Sequence, residues 1–395
     1  MIALLPTMAL AAELIVGVDA PTVQAAVDQA SPGDVVVLPE GRWPGPVRIA
    51  VPITLTSRGG TLVGTGEGTT LTVSAPGVIV DDLHLEGSGD DLSGPDACLF
   101  VEPSAAGTVV RNSLFTDCLF GIWLHQVVGV RVVDNRVEGR PGVHPSNKGN
   151  GIHLFDSEEL VVRGNIVEHA RDGIYVSATE NSLIADNEVS NQRYGIHYMY
   201  SYDNTISGNV AENNSGGLAL MGSHRLTVTG NVTTGNAKQG LLFRDVQYST
   251  ITGNRTTHNG EGLFFFSSLD NEISGNLVAY NEIGARVWAG TERNEVRGNS
   301  FIGNRQQVFY VAAEDQVWGS NHWSDYLGWD QDGDGLGDRP YRNDALVANL
   351  LYRYPSAALL LNSPTLELLS QLQRKLPALK VPTVIDEHPL LVGEW

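Results

Sequence analysis

Cysteine and methionine are scarce in this chain of 395 residues, which has 2 of the former and 4 of the latter. Two cysteines exclude a scaffold built on several disulfides and a zinc site built on thiolates. We expect Cys98 and Cys118 to be small buried side chains rather than a disulfide pair, because they stand at different offsets from the repeat described below. With methionine so rare, any pair of methionines at a fixed spacing is informative.

Positive charge is also in deficit. The chain has 25 lysine and arginine residues against 45 aspartate and glutamate residues, which gives a formal net charge of −20. Such a chain repels phosphate backbones and anionic lipid surfaces, so we predict no nucleic-acid partner. Beyond the N-terminus there is no run of 18 apolar residues, and no membrane-spanning helix is predicted.

The N-terminus carries a short apolar run, from Ile2 to Leu10, followed by small residues in the spacing of a secretory cleavage site. We therefore predict that residues 1–12 are the remnant of a signal peptide and that the mature protein acts outside the cytoplasm. The alternative is a hydrophobic N-terminal strand.

Glycine is abundant, with 44 residues, and it recurs in register with asparagine. Gly-Asn or Asp-Asn pairs return about every 22 residues, as at Asn187, Asn209 and Asn231. Between them apolar residues alternate, which is typical of short strands and not of helices. The pattern predicts an all-β chain folded as a right-handed parallel β-helix of about 22 residues per coil. The asparagine columns are predicted to be turn ladders, in which each amide bonds to the neighbouring coils.

Both ends of the chain depart from this repeat. Residues 21–30 have helical spacing and are predicted to form a helix that covers the first coil. We therefore predict a capped β-helix over residues 13–325 and a separate tail over 326–395, which is apolar and partly helical after an acidic loop. The tail is predicted to dock on a partner protein through a set of leucines: Leu350, Leu351, Leu359, Leu360, Leu361, Leu366 and Leu369.

The outer face of the predicted helix carries the residues that could do chemistry. Counting from the glycine of each coil, the second and fourth residues point outward, because side chains alternate along a strand. His197, Met199 and Met221 fall in these columns, and the two methionines, 22 residues apart, are predicted to be stacked about 4.8 Å from each other. Thioethers together with an imidazole suit Cu(I), so we predict a transient copper site at these residues, with His153 assisting.

The same columns have an alternative interpretation as a protein docking face, because an exposed sheet rarely carries so many aromatic residues. The two interpretations are compatible, since a metal passed between proteins needs a docking surface around it. The candidate docking residues on the solenoid are Trp123, His125, Phe155, Tyr175, Phe264 and Phe266.

An acidic loop follows the repeat. Asp330, Asp332, Asp334 and Asp338 occupy positions 1, 3, 5 and 9 of an EF-hand-type loop, and Leu336 at position 7 would offer its carbonyl. Position 12 is a tyrosine, so the bidentate glutamate is missing. The loop predicts a structural Ca²⁺ site, and the alternative is an acidic turn without an ion.

Parallel β-helices also serve as polysaccharide lyases, epimerases, adhesins and scaffolds, so the predicted fold alone decides no function. A lyase or epimerase needs a basic cleft with a proton-abstracting group. The outward columns offer only Arg244 and Arg286 as positive charges, and the acidic chain suits a polyuronate poorly. A carbohydrate-active enzyme remains the second hypothesis and an adhesion module the third.

Two strings in the sequence are more specific than the repeat: Arg-Tyr-Gly-Ile-His-Tyr-Met-Tyr-Ser at 193–201 and Asn-His-Trp-Ser-Asp-Tyr-Leu-Gly-Trp-Asp at 321–330. In these strings, and over nearly the whole mature chain, the sequence resembles the NosD family of nitrous oxide reductase maturation proteins. The resemblance implies a periplasmic, non-enzymatic assembly factor that works with the membrane permease and cytoplasmic ATPase of an ABC-type transporter. It further implies that a lipoprotein chaperone supplies Cu(I), which serves the copper sites of nitrous oxide reductase. The copper ligands named above come from residue spacing and not from this resemblance.

Overall fold

The computed structural model describes residues 11–310, 313, 316–343, 354, 356, 363–365, 368, 371–372 and 384–393. The chain divides into two compact units, Met1–Tyr175 and Val176–Trp395. Among the described residues, no helix is both long and apolar enough to cross a bilayer. The predicted signal-peptide residues 1–10 and the seven candidate docking leucines of the tail lie outside the described residues.

The N-terminal unit begins with the predicted helix, which spans Val23–Gln29. Thr22 caps it, since its hydroxyl accepts the N–H of Ala25 at 3.1 Å. The helix buries Val23, Ala26 and Val27, so its apolar face covers the first coils, as the sequence predicts. A short 3₁₀ turn, Pro145–Asn147, lies in the insertion that lengthens one coil.

The strands of the N-terminal unit pair in parallel. Most of them are short, but two early ones extend to ten residues. One set consists of Glu13–Ile15, Val35–Pro44, Thr54–Val63, Ile79–Asp81, His84–Glu86, Val109–Arg111, Leu114–Thr116, Arg131–Val133, Arg136–Glu138, Val161–Arg163 and Ile166–Glu168. The second set consists of Val47–Ile49, Leu71–Val73, Ala97–Val101, Phe120–His125, Ile152–Phe155 and Asp172–Ser177.

The C-terminal unit repeats three strands per coil with little variation. Two strands of each coil belong to the set Leu183–Ala185, Glu188–Ser190, Thr205–Ser207, Val210–Glu212, Thr227–Thr229, Val232–Thr234, Thr250–Thr252, Arg255–Thr257, Glu272–Ser274, Leu277–Ala279, Glu295–Arg297, Ser300–Ile302, Val317–Gly319 and His322–Trp323. The third strand comes from Tyr194–Met199, Gly216–Met221, Gln239–Arg244, Glu261–Phe266, Ile283–Val287 and Gln306–Tyr310. Tyr341–Arg342 and Ile385–Asp386 form a separate antiparallel pair.

The register of these strands confirms the parallel β-helix and its coil length. Ile206 pairs with Val228, and Val228 with Ile251, so one coil takes 22 or 23 residues. All three side chains are fully buried, and each coil therefore contributes its alternate apolar residues to a continuous core.

The asparagine columns form the predicted turn ladders. In the C-terminal unit Asn209 donates its backbone N–H to Oδ1 of Asn231 at 3.0 Å, and its side-chain amide donates to the same oxygen at 2.9 Å. The amide of Asn209 also donates to the carbonyl of Ile184 at 2.9 Å. Each buried amide thus satisfies backbone groups of two turns, which explains why the sequence keeps asparagine at this position.

The asparagine ladder ends at Asp386, a residue outside the repeat that the sequence pattern does not predict. Asn321 is the last asparagine of the column, and its backbone N–H donates to Asp386 Oδ2 at 2.8 Å. The same carboxylate accepts from the N–H of Ser320 at 3.0 Å and from Nε1 of Trp323 at 3.1 Å. Asp386 is completely buried, and as an acceptor-only group it ends a column of donors. Part of the predicted separate tail therefore caps the last coil.

The prediction that the two cysteines stay unpaired is wrong. Cys98 and Cys118 form a disulfide, with a Cα–Cα distance of 5.5 Å. Cys98 lies in the strand Ala97–Val101, and Cys118 lies two residues before the neighbouring strand Phe120–His125, in which Phe120 pairs with Ala97. The turn before Phe120 brings Cys118 over Cys98, and this contact between adjacent coils does not follow from offsets within the repeat. A disulfide agrees with a protein that folds in an oxidising compartment.

Candidate metal centre

The two methionines of the candidate copper site are direct neighbours in the C-terminal unit. Met199 and Met221 pair in register on adjacent strands, and both side chains are half-buried. Ile196 and Tyr198 on the same strand are fully buried and point into the core, so the methionines lie on the outer face. The predicted placement of the two methionines side by side on adjacent strands is therefore observed.

His197 lies on the same face as Met199, two residues earlier, but it is only 7% exposed. The ring of Tyr194 covers it at 4.9 Å, and the guanidinium of Arg193 lies 5.0 Å from the centre of that tyrosine ring. Arg193 Nη2 also approaches Nδ1 of His197 at 3.4 Å. A guanidinium can only donate, so a copper ion bound at Nδ1 would have to displace Arg193 from this contact. Sequence periodicity placed His197 on the correct face but did not indicate this cover.

Positive charge borders the methionine pair on its other side. Arg244 pairs with Met221 on the next strand, is largely exposed, and forms an ion pair with Asp245 at 3.6 Å. Its guanidinium packs over the ring of Phe266 at 5.6 Å. Any cation held by Met199 and Met221 would thus have an arginine as its neighbour.

The outer face continues into an aromatic patch. Phe264 and Trp288 meet edge to face at 6.3 Å, and Arg286 lies over the rings of Trp288 at 5.5 Å and Phe309 at 5.1 Å. Arg286 is paired with Glu261 at 2.6 Å, and both side chains are nearly buried. The predicted docking residues Phe264 and Phe266 are half-buried members of this face.

His153 belongs to the N-terminal unit, in a cluster of aromatic rings. It pairs in register with Trp123 and stacks on that indole, with ring centres 4.4 Å apart and planes 5° apart. Tyr175 meets it edge-on at 5.0 Å. Burial, with a smaller contribution from the positive charge of Arg171, lowers the pKa of His153 to about 3, so the imidazole is neutral at physiological pH.

The second imidazole of this unit is His125, which the sequence assigned to docking. His125 pairs in register with Phe155 and stacks on it at 5.3 Å. Phe155 is 37% exposed, whereas Trp123, His125 and Tyr175 are half-buried. His153, predicted to assist His197 and the methionines, therefore has its described neighbours among the aromatic residues of the N-terminal unit.

The acidic loop brings three of its aspartates together. Ligand oxygens of Asp330, Asp332 and Asp334 lie within 4.8 Å of one another. Asp338 instead accepts the N–H of Gln331, and Leu336 donates its N–H to Asp334 Oδ1 at 2.8 Å. The N–H groups of Gly335 and Gly333 lower the pKa of Asp330.

The pKa shifts of Asp330 and Asp332 in this loop have opposite directions. The N–H of Asp334 favours the ionised form of Asp332, but the negative charges of Asp334 and Asp338, together with desolvation, leave the pKa of Asp332 raised. The loop is held to the chain end, since Gly337 donates to the carbonyl of Pro389 at 2.8 Å. Beside it, Leu327 is 93% exposed, a feature that its position in the sequence did not reveal.

Comparison with known proteins supports a family assignment. Residues 133–328 match the family described as periplasmic copper-binding protein NosD. A protein of Pseudomonas aeruginosa named probable ABC transporter binding protein NosD is 43% identical over 373 residues, which is 90% of this chain and 87% of that protein. A protein of the same name from Stutzerimonas stutzeri is 39% identical over 374 residues, 90% of this chain and 86% of its own length.

Solved structures that resemble the chain share its fold only. A family 28 exopolygalacturonase of Yersinia enterocolitica superposes with a TM-score of 0.60 at 12% identity, over 74% of each chain. The A-module of the mannuronan C-5 epimerase AlgE6 of Azotobacter vinelandii gives 0.52 at 16% identity, over 75% of this chain and 94% of its own. Both are enzymes, whereas the relatives that are similar in sequence are named as binding proteins. The chain belongs to the NosD family of periplasmic copper-binding proteins.

Proposed function

We propose that this protein is a periplasmic assembly factor that accepts Cu(I) and passes it on for the copper sites of nitrous oxide reductase. The observation that supports the proposal most is the in-register pair of Met199 and Met221, with His197 two residues away on the same face. Two thioethers and an imidazole are soft, neutral ligands that suit Cu(I) and suit calcium or magnesium poorly.

The surroundings of the site favour passage of the ion over permanent storage. Arg193 contacts His197, and Arg244 lies next to Met221, so positive charges border the ligands on two sides. Their repulsion raises the free energy of a bound cation, although solvent screens the largely exposed Arg244. A carrier must release its ion to an acceptor, and a destabilised bound state makes release easier.

The proposed partners are the membrane permease and cytoplasmic ATPase of an ABC-type transporter, a lipoprotein copper chaperone and nitrous oxide reductase. The name of the two curated relatives supports an association with an ABC transporter. The aromatic patch around Phe264 and Phe266 borders the proposed copper ligands, and it would let a chaperone or acceptor dock beside the ion. Tail residues 344–383 are the proposed contact with the membrane subunit.

The proposal predicts that the mature protein retains Cu(I) and ignores acidic polysaccharides. Protein incubated anaerobically with Cu(I) and reductant should keep copper through gel filtration and compete with a chromophoric Cu(I) chelator. The same protein mixed with polygalacturonate or alginate should neither bind the polymer nor produce unsaturated or epimerised sugars. Polymer turnover without copper retention would instead favour a carbohydrate-active enzyme.

The acidic loop is proposed to hold a structural Ca²⁺ ion. Three clustered carboxylates support the proposal, as does the raised pKa of Asp332, because a divalent cation would relieve the repulsion among these groups. The loop contacts the segment that caps the solenoid, since Leu336 forms a bridge with Leu390. An ion there would stabilise the C-terminal end of the molecule.

A chelator should therefore lower the melting temperature of the wild-type protein. Ligand present at 100 times its dissociation constant stabilises a protein by about 2.7 kcal/mol, which a chelator removes. Asp332→Ala should abolish this sensitivity, whereas Glu67→Ala, which removes an exposed carboxylate of the N-terminal unit, should keep it. Differential scanning calorimetry measures both effects, and identical wild-type melting curves with and without chelator would contradict the Ca²⁺ site.

A further inference from the structure

Besides Nε of Arg171, three buried polar atoms of the N-terminal unit have no hydrogen-bond partner among the described residues. They are Nε1 of Trp123, Nδ1 of His125 and Oδ1 of Asn150. A buried polar atom without a partner costs about 1–3 kcal/mol, so such a group needs a reason. Three of them around one aromatic cluster indicate a place where something binds.

Asn150 contacts the imidazole of His153, and its orientation has chemical consequences. Its amide nitrogen lies 3.4 Å from Nδ1 of His153, so in this orientation Nδ1 accepts and the proton sits on Nε2. Turning the amide over places Oδ1 against Nδ1 instead. Oδ1 then gains the partner that it lacks, the imidazole donates from Nδ1, and the lone pair of Nε2 becomes free for a ligand. Metal-binding histidines are commonly fixed by such a hydrogen bond from the other ring nitrogen.

His125 and His153 are placed to share one ion. His125 pairs with Phe155 and Trp123 with His153 on the same two strands, so the two histidines are diagonal neighbours. Two residues along a strand and one strand across give about 8 Å between their Cα atoms. Two imidazoles of one face can lean together across that gap, with metal–nitrogen bonds of about 2 Å.

The residues around His125 and His153 favour one kind of metal ion over others. The rings of Phe100 and Phe120 lie 5.9 Å and 4.7 Å from the indole of Trp123, and Phe155 stacks on His125. Zinc normally takes four ligands and calcium takes six to eight oxygens, which two imidazoles among aromatic rings do not supply. Imidazole nitrogens suit copper, and a monovalent ion is cheaper to bury than a divalent one.

We propose that the N-terminal unit binds a Cu(I) ion of its own through the imidazoles of His125 and His153, with Asn150 as a positioning residue. The site is separate in its ligands from His197, Met199 and Met221, since it uses nitrogen alone. The inference rests on the proposed function for the identity of the ion, but its ligands are independent of the methionine site. The chain would then have two copper-binding sites with different ligands.

The test uses protein in which the methionine site has been removed by Met199→Leu and Met221→Leu. This variant should still bind Cu(I), and X-ray absorption should show nitrogen neighbours without sulfur. In protein labelled with ¹⁵N-histidine, two imidazoles should shift on addition of Cu(I), and His125→Phe with His153→Phe should remove both the shifts and the copper. His258→Phe, which replaces another ring-stacked imidazole, should change neither. Asn150→Leu should weaken binding by about 10–100-fold, as expected for loss of a partner that orients a ligand.

The outcomes separate this inference from the proposed function. If the methionine variant loses all copper while the wild type binds it through sulfur, the proposed function stands and the histidine site is wrong. If copper stays on the methionine variant but also survives His125→Phe and His153→Phe, the histidine site is again wrong. Where the phenylalanine pair fails to fold, His125→Gln alone serves, since it removes one ligand from a half-buried position. Wild-type copper bound through nitrogen alone would support the histidine site and overturn the methionine site.

Discussion

Replacing Met199 and Met221 together by leucine should lower the affinity of the methionine site for Cu(I) by more than about 100-fold. Even the loss of a group that merely orients a ligand costs about 10–100-fold in metal affinity, and this change removes two of three proposed ligands. The fold should survive, because the leucines conserve volume and such swaps cost less than about 1.5 kcal/mol. The methionines are also half-buried outer residues and not part of the core.

The measurement is a competition titration against a chromophoric Cu(I) chelator, with sulfur coordination followed by X-ray absorption. Each single substitution should give an intermediate affinity, because one thioether and His197 remain. Phe264→Leu is a suitable control, since it changes the same outer face, two strands from Ala219 and three from His197, without removing a ligand. An unchanged sulfur signal in the wild type and the double variant would show that the copper ligands lie elsewhere.

The pairing of Met199 with Met221 was predictable because, in a parallel β-helix, the number of residues between two positions determines whether they lie side by side on adjacent strands. Residues one coil apart must be neighbours, and the glycine and asparagine columns fix the coil at 22 or 23 residues. The same rule placed His197 on the outer face. It could not reveal that Arg193 and Tyr194 cover this imidazole, because these contacts depend on side-chain conformation and not on the repeat.

Features formed outside the repeat could not be predicted in this way. The disulfide joins Cys98 in a strand to Cys118 in a turn, so their positions within the coil differ although their sulfurs meet. Asp386 ends the asparagine ladder from a segment 65 residues beyond Asn321, and no periodicity points to it. The unpaired oxygen of Asn150 likewise appears only when the hydrogen bonds of the cluster are counted. All three features depend on residues that do not recur from coil to coil.

The cap formed by Asp386 changes how the tail has to be tested. A truncation after Asp344 would remove the proposed docking segment, but it would also remove the carboxylate that accepts from Ser320, Asn321 and Trp323. Each buried donor left without a partner costs about 1–3 kcal/mol, so the last coils would fray. Loss of partner binding in that protein could then reflect local unfolding.

The structure shows how the proposed docking segment can be removed without removing Asp386. Tyr341 and Arg342 pair antiparallel with Asp386 and Ile385, and the N–H of Asn343 donates to the carbonyl of Val384 at 3.2 Å. The two ends of the segment 344–383 therefore meet across a hydrogen-bonded pair of strands. A two-residue Asn-Gly turn connects such strands without strain, because both residues tolerate the positive φ of a type I′ turn. Residues 344–383 can thus be replaced by Asn-Gly while the cap keeps its attachment.

The excised protein should keep the melting temperature of the wild type but no longer co-purify with the permease and ATPase when the three are expressed together. The reason is that the excision removes the leucine-rich segment proposed to contact the membrane subunit and leaves the solenoid and Asp386 in place. Asp386→Leu in the full-length chain is the matched opposite: it should destabilise the coil around Asn321, seen as faster amide exchange there, yet retain the partner. If the excised protein still captures the permease at full strength, the docking surface lies on the solenoid, and the aromatic patch around Phe264 and Trp288 becomes the first place to mutate.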